Sequence, residues 1–208
     1  TLIDADGQVQ RGRDFKLSRG GTLLIPHAPG LLLAWVEQEG VFATRIDGDG
    51  SSLDGRGIPL SGTFADGFVR AAFDGASYVV AWPADGSICV RWIPPPTGAT
   101  VAEARWAVEG LPEIALAAWA AASYVAFTEA GRLRVTRIPH ATHTPDAVPL
   151  DVSPEDMIAG HPAAAWNGSA LLVTWNEEYA SPRASPPYFY AIAIHAARVT
   201  AHEKLRAL

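Results

Sequence analysis

Ten residues, Phe73-Asp74-Gly75-Ala76-Ser77-Tyr78-Val79-Val80-Ala81-Trp82, return ninety-three positions later as Trp166-Asn167-Gly168-Ser169-Ala170-Leu171-Leu172-Val173-Thr174-Trp175. Aromatic, turn pair, small residues, apolar run and closing Trp match without a gap. The end of the same frame stands forty-seven positions before Trp82 as Leu31-Leu32-Leu33-Ala34-Trp35. A fourth copy runs from Trp119 to Phe127. There the turn pair has become Ala120-Ala121, and Phe127 falls one place short of the Trp position, which predicts a bulge or a one-residue deletion. Internal repetition of this kind constrains the fold more than any other feature, because each copy must build the same small unit.

Further elements keep the same phase. Ala43-Thr44-Arg45-Ile46 returns as Val90-Arg91-Trp92-Ile93, Val135-Thr136-Arg137-Ile138 and Ala196-Ala197-Arg198-Val199. Ile58-Pro59-Leu60 is matched by Val148-Pro149-Leu150, and Ile3-Asp4-Ala5-Asp6-Gly7 by Ile46-Asp47-Gly48-Asp49-Gly50, forty-three positions on. The period is 43 to 48 residues, with one longer copy near the end.

Within a copy the apolar segments are short, rich in Val, Ile, Leu, Tyr and Trp, and separated by Asp-Gly, Asn-Gly or other Gly-containing breaks. Such breaks supply the positive φ of tight hairpins. Four strands per copy, as in Val69–Phe73, Tyr78–Trp82, Ser87–Ile93 and about 104–108, describe the blade of a β-propeller. The expected fold is all-β: four-stranded antiparallel blades, about four of them, at about 22–61, 68–108, 111–151 and 161–199, in a single domain. Trp35, Trp82 and Trp175 are expected between blades. The Ala-rich run from Ile114 to Phe127 also fits a buried helix. It falls short of the roughly 20 residues a membrane-crossing helix needs, so no membrane span is expected.

Composition removes several classes. Apolar residues make up 49% and charged ones 18%, too apolar for a disordered chain. The net charge of −6 and the lack of a basic stripe argue against nucleic acid as a partner. The single cysteine, Cys89, excludes an internal disulfide and a cysteine-rich zinc site.

The segments Asp74 to Trp82, Asn167 to Trp175 and Thr44 to Asp54 resemble β-propeller repeats of large secreted or surface proteins of bacteria. That resemblance implies an extracellular or cell-surface scaffold or binding role, and it brings no catalytic residues with it. The chain opens on Thr1 without a basic-then-apolar leader and reads as a piece of a longer precursor. Its phase leaves a spare outer strand at residues 1–18, while the last blade ends on its third strand. Two arrangements follow: a closed four-bladed ring in which residues 14–18 pair onto 190–199, or part of a larger propeller.

Candidate chemistry is sparse. Asp47 and Asp49 form a DxDG turn that offers oxygen ligands to Ca²⁺, but the EF-hand series is not completed and no cofactor is expected. His140 and His143 lie in a Pro- and Thr-rich loop with no third ligand at a recognised spacing. Asn167-Gly168-Ser169 is a formal glycosylation sequon that coincides with a hairpin turn. Arg70 and Glu113 are the charges near the innermost strands, which show no paired carboxylates. Where other blades turn in three or four residues, the last runs from Asn176 to Pro187 before Tyr188-Phe189-Tyr190. This insertion is read as a binding loop, with Glu177, Glu178, Tyr179, Arg183, Tyr188 and Tyr190 as ligand-binding residues and no catalytic ones. The resulting expectation is a non-catalytic module that binds a protein or carbohydrate partner. The competing expectation is a propeller hydrolase or lyase acting on polysaccharide.

Overall fold

The computed structural model describes residues 2–3, 9–10, 22–61, 69–95, 100, 102–155, 158–180, 189–200 and 206–207; for 2–3, 9–10, 178–180, 189–193, 200 and 206–207 only the strand pairing is considered. Near the start, β1 (Leu2–Ile3) pairs with β2 (Val9–Gln10). Four antiparallel four-stranded sheets follow. The first holds β3 (Thr22–His27), β4 (Gly30–Glu37), β5 (Gly40–Ile46) and β6 (Ile58–Pro59). The second holds β7 (Arg70–Phe73), β8 (Tyr78–Ala84), β9 (Ser87–Ile93) and β10 (Ala102–Ala107). The third holds β11 (Ile114–Trp119), β12 (Ala122–Glu129), β13 (Arg132–Pro139) and β14 (Leu150–Asp151). The fourth holds β15 (Ile158–Trp166), β16 (Ala170–Ala180), β17 (Phe189–Thr200) and β18 (Arg206–Ala207). Each sheet pairs its strands in chain order. The Ala-rich run is therefore a hairpin, β11–β12, and not a helix.

Side chains alternate across a strand, so each sheet has two faces to bury. Tyr78, Val80 and Trp82 face the first sheet, where they meet Leu32, Ala34 and Val36. Val79, Ala81 and Trp92 point the other way, onto Leu116, Val125 and Phe127 of the third. Tyr124, Ala126 and Val135 in turn meet Leu171, Val173 and Trp175 of the fourth. The first strands lie side by side along one axis: β3 beside β7, β7 beside β11, and β11 beside β15. Among the described residues three cores join consecutive sheets, and none joins the fourth to the first.

Trp82, Phe127 and Trp175 thus occupy one position, each turned toward the preceding sheet. Trp35 shares the frame but lies outside the three cores. Its Nε1 donates to Glu37 at 2.8 Å, its ring stacks on Phe42, and its sheet's own Gly57 covers it. At φ +102°, with the indole 2.6 Å from where a Cβ would stand, only glycine fits at position 57.

Three expectations are corrected. The copy from Trp119 to Phe127, in the third sheet, carries neither bulge nor deletion: β11–β12 and β12–β13 pair without a register shift. Ala118 pairs with Ser123 as Phe73 pairs with Tyr78, so the aromatic has moved one residue on, to Trp119, and therefore to the other face. The outer strands of the first and third sheets match two residues later than Val148-Pro149-Leu150 suggests. Leu60 and Ser61 both donate to the Val41 carbonyl, as Val152 and Ser153 do to that of Leu133, while Val148 is exposed. Finally, the last sheet does not end on its third strand: β18 pairs with β17 through Ala197↔Ala207 and Arg198↔Arg206. Residues 14–18 lie outside the described residues. The 43-residue offset at the start is matched in structure: Ile3↔Val9 recurs as Ile46↔Ser52.

Candidate functional site

At the end of the sheets where the first strands begin, the second-to-third-strand turns line up. Two residues beyond the shared aromatic, the first three sheets close: Glu37↔Gly40, Ala84↔Ser87 and Glu129↔Arg132. The fourth does not. After a register shift at Glu177/Glu178 its ladder continues through Glu178↔Ala191, Tyr179↔Tyr190 and Ala180↔Phe189. The insertion is thus a lengthened hairpin at its base rather than a loop from Asn176. Its residues continue to exchange ladder hydrogen bonds, which a structureless loop would leave to water. Glu177, Glu178, Tyr179 and Tyr190 stand on paired strands, while Arg183 and Tyr188 lie outside the described residues. At the root of the hairpin, Glu177 Oε2 is 3.2 Å from His195 Nε2, and His195 stacks on Trp175 with ring centroids 5.5 Å apart. Both polar side chains keep about a third of their surface in water, so this pair is a half-exposed polar contact where the hairpin leaves the sheet.

Beside it, between the third and fourth sheets, lies a groove of about 330 Å³ lined by Glu109, Glu113, Thr128, Glu129 and the backbone at Gly131 and Gly160. The Glu113 N–H donates to Thr128 Oγ1 at 2.9 Å, which fixes the residue at the mouth of β11. Its Oε2 accepts the His161 N–H at 2.5 Å and lies 3.4 Å from His161 Nδ1. His161 reaches it because β15 is irregular between Gly160 and Ala163, with His161 itself at φ +49°. Burial lowers the Arg70 pKa, and the nearby negative charge of Glu113 opposes that shift. Glu129 accepts the Glu109 N–H at 2.8 Å and pairs with Arg134. The carboxylates of Glu113 and Glu129 in this groove are thus each engaged by donors.

The opposite end holds a cluster that residue spacing could not reveal. Asp74 Oδ1 accepts the Ala76 and Ser77 N–H groups at 2.8 and 2.7 Å, and Oδ2 lies 3.5 Å from His140 Nε2. Ser123 Oγ is 3.0 Å from the same nitrogen. A nucleophile relay needs the acid and the hydroxyl on different ring nitrogens, so this is a joint between sheets rather than a catalytic triad. His143, with its ring 4.7 Å from that of Trp92, has its pKa lowered by burial first and then by His140.

The remaining candidates have local roles. Asp47 and Asp49 both accept the Ser51 N–H, at 2.8 Å each, within the turn they cap. Among the described residues no group of three His, Cys, Asp or Glu side chains is arranged to hold a metal. Asn167 Oδ1 accepts the N–H groups of Ser169 and Ala170 and closes its hairpin. Cys89 is buried, and burial raises its thiol pKa, which suppresses the thiolate. No helix among the described residues is long and apolar enough to cross a membrane.

Solved structures share this architecture. A subtype N10 neuraminidase-like protein of A/little yellow-shouldered bat/Guatemala/060/2010 superposes with a TM-score of 0.60 at 10% identity, over 100% of this chain and 63% of its own. The fold is a β-propeller. The Bacteroides ovatus xyloglucan-locus protein GH43B matches with a TM-score of 0.51 at 14% identity, over 89% of this chain and 42% of its own. A prolyl endopeptidase matches with a TM-score of 0.52 at 14% identity, over 89% and 27%. This chain therefore spans less than two thirds of each of these chains. No family model matches the sequence, and no curated protein does.

Proposed function

We propose that this propeller is a non-catalytic binding module, working outside the cell or at its surface, that captures a protein or carbohydrate partner at the end crowned by the β16–β17 hairpin. The observation that supports this reading is the hairpin itself, which runs at least three residue pairs past the point where the other three sheets turn. A paired ribbon that continues past the turns of its neighbours carries the backbone beyond the common rim, where recognition surfaces lie. Glu177 and His195 at its root, and Glu113 in the adjoining groove, supply polar contacts. The extracellular setting follows from the resemblance of the repeats. Replacing residues 178–192 by a two-residue Asn-Gly turn should leave the thermal midpoint nearly unchanged and abolish capture on a glycan array or by an extracellular-protein library. Capture that survives the replacement would remove the hairpin from the reading.

A polysaccharide hydrolase is the second reading, favoured by one observation: Glu113 sits at the start of an innermost strand, in a groove that also holds Glu109 and Glu129. Propeller neighbours include proteins titled as a neuraminidase-like protein and as GH43B. Release of reducing ends from a polysaccharide panel, lost in Glu113→Gln, would establish it in place of the first.

A further inference from the structure

The first and fourth sheets each keep one face that no core among the described residues covers. On the fourth it is the face turned away from the third sheet, and the repeat shows what that face lacks. Leu172 stands three residues before the shared aromatic, as Leu32, Val79 and Tyr124 do. Those three are 0%, 0% and 5% exposed beneath the following sheet, whereas Leu172 is 41% exposed. Ile194, opposite the residue just past the aromatic, matches Val41, Ile88 and Leu133. Each of those is 0% exposed, and Ile194 is 80% exposed.

The first sheet leaves open the face that every later sheet turns to its predecessor. Leu24 pairs with Leu33, two residues before the aromatic, as Leu116 pairs with Val125. Leu116 is 9% exposed under the second sheet, while Leu24 is 56% exposed. The ladder partners of the open residues carry no charge: Ala165 beside Leu172, Asn176 beside Ile194, and Leu33 beside Leu24. Stacked repeats ordinarily end on polar capping faces, and these two ends do not.

Every internal joint sets one kind of face on the other. Leu32 and Val41 share a core with Ala71, Val79 and Ile88 share one with Leu116, and Tyr124 and Leu133 share one with Ala164. The molecule thus carries both halves of one more such joint, at opposite ends of its row of sheets. We propose that a second copy of this chain supplies the missing half, the fourth sheet of one copy packing on the first sheet of the next. Two different patches meet, so the contact is heterologous, and two copies bring eight sheets into one row, within the range of a single propeller.

Sedimentation equilibrium of the intact chain from about 5 µM to about 500 µM tests this, a range that brackets a Kd in the tens of micromolar. The wild type should pass from monomer to dimer or larger species across it. Ile194→Lys and Leu24→Lys, each at an exposed position, should keep the wild-type melting midpoint. Alone, each should weaken association at least about tenfold, because the contact would enclose an unpaired charge. Mixed in equal amounts they should form a heterodimer, since one retains an intact first-sheet face and the other an intact fourth-sheet face. A wild type that stays monomeric throughout overturns the proposal. So does a dimer that survives Leu24→Lys, which would mean that fourth sheets meet each other, or a mixture that fails to associate.

Discussion

The joints between sheets are of two kinds at the end opposite the long hairpin. The first sheet meets the second through His27 stacked on Phe73, with centroids 3.9 Å apart, and the third meets the fourth through Trp119 on Trp166 at 4.0 Å. Between the second and third, the same place in the fold holds Asp74, bonded to two turn amides and facing His140 and Ser123. The cause lies in the hairpins. In the first and third sheets the turn is two residues, closed by His27↔Gly30 and Trp119↔Ala122, which keeps the next side chain in the strand and aimed at the neighbouring sheet. In the second and fourth the turn opens one pair earlier, at Phe73↔Tyr78 and Trp166↔Leu171, and an Asx residue takes that place to cap it. Turn length sets which residue faces the neighbouring sheet, and a ring pair forms only where the next sheet answers with an aromatic, as at Phe73 and Trp166 but not at Ala118. The alternation also explains why copies ninety-three residues apart match best.

The strongest way to break this comparison is Trp119→Ala, which removes a ring from one stacked joint. It should cost about 3 kcal/mol in urea denaturation, as large-to-small changes at packed aromatics do; a loss near zero would mean that the stack does not hold the sheets together. Asp74→Ala attacks the polar joint and should cost less, about 2 kcal/mol, since two amides lose a charged acceptor and His140 loses a partner. If Asp74→Ala proves costlier than Trp119→Ala, the ranking of the joints is inverted.

A gentler probe is pH. The folded environment lowers the His143 pKa from its ordinary value of 6.5 through burial and the nearness of His140. Because the unfolded chain then binds the proton more readily, stability should be full above pH 6.5 and decline as pH falls through that value. His143→Gln should flatten that part of the stability–pH curve and leave the aromatic joints untouched; an unchanged slope would assign the pH dependence elsewhere. The smallest effect concerns the Asp47–Asp49 turn. Both carboxylates are engaged by the Ser51 amide, so millimolar Ca²⁺ against EGTA should leave the melting midpoint unchanged, and a rise of several degrees would instead make Ca²⁺ a ligand of that turn.

Much of the architecture was legible because strand alternation and turn chemistry are local. Phe73-Asp74-Gly75 and Trp166-Asn167-Gly168 announce their hairpins, and the aromatic frame gives each sheet its phase. What the residues hid was which face an aromatic serves. Trp119, one place beyond the position of Phe73, looked like a broken frame, although pairing parity simply sends it to the next sheet. The site was less legible. Glu177 and Glu178 read as loop because no periodicity marks a hairpin that merely lengthens, and Tyr179 opposite Tyr190 is evident only from register. Asp74 and His140 lie sixty-six residues apart in different copies, and no spacing rule links them.

The most direct test of face-to-face sheets is a NOESY spectrum of protein labelled only at tryptophan, with Trp119→Phe and Trp166→Phe used for assignment. Rings whose centroids lie 4.0 Å apart should give strong cross-peaks between the Trp119 and Trp166 indole protons. Well-resolved signals from both indoles with no cross-peak between them would contradict the stacking of the third sheet on the fourth, and with it this account of the fold.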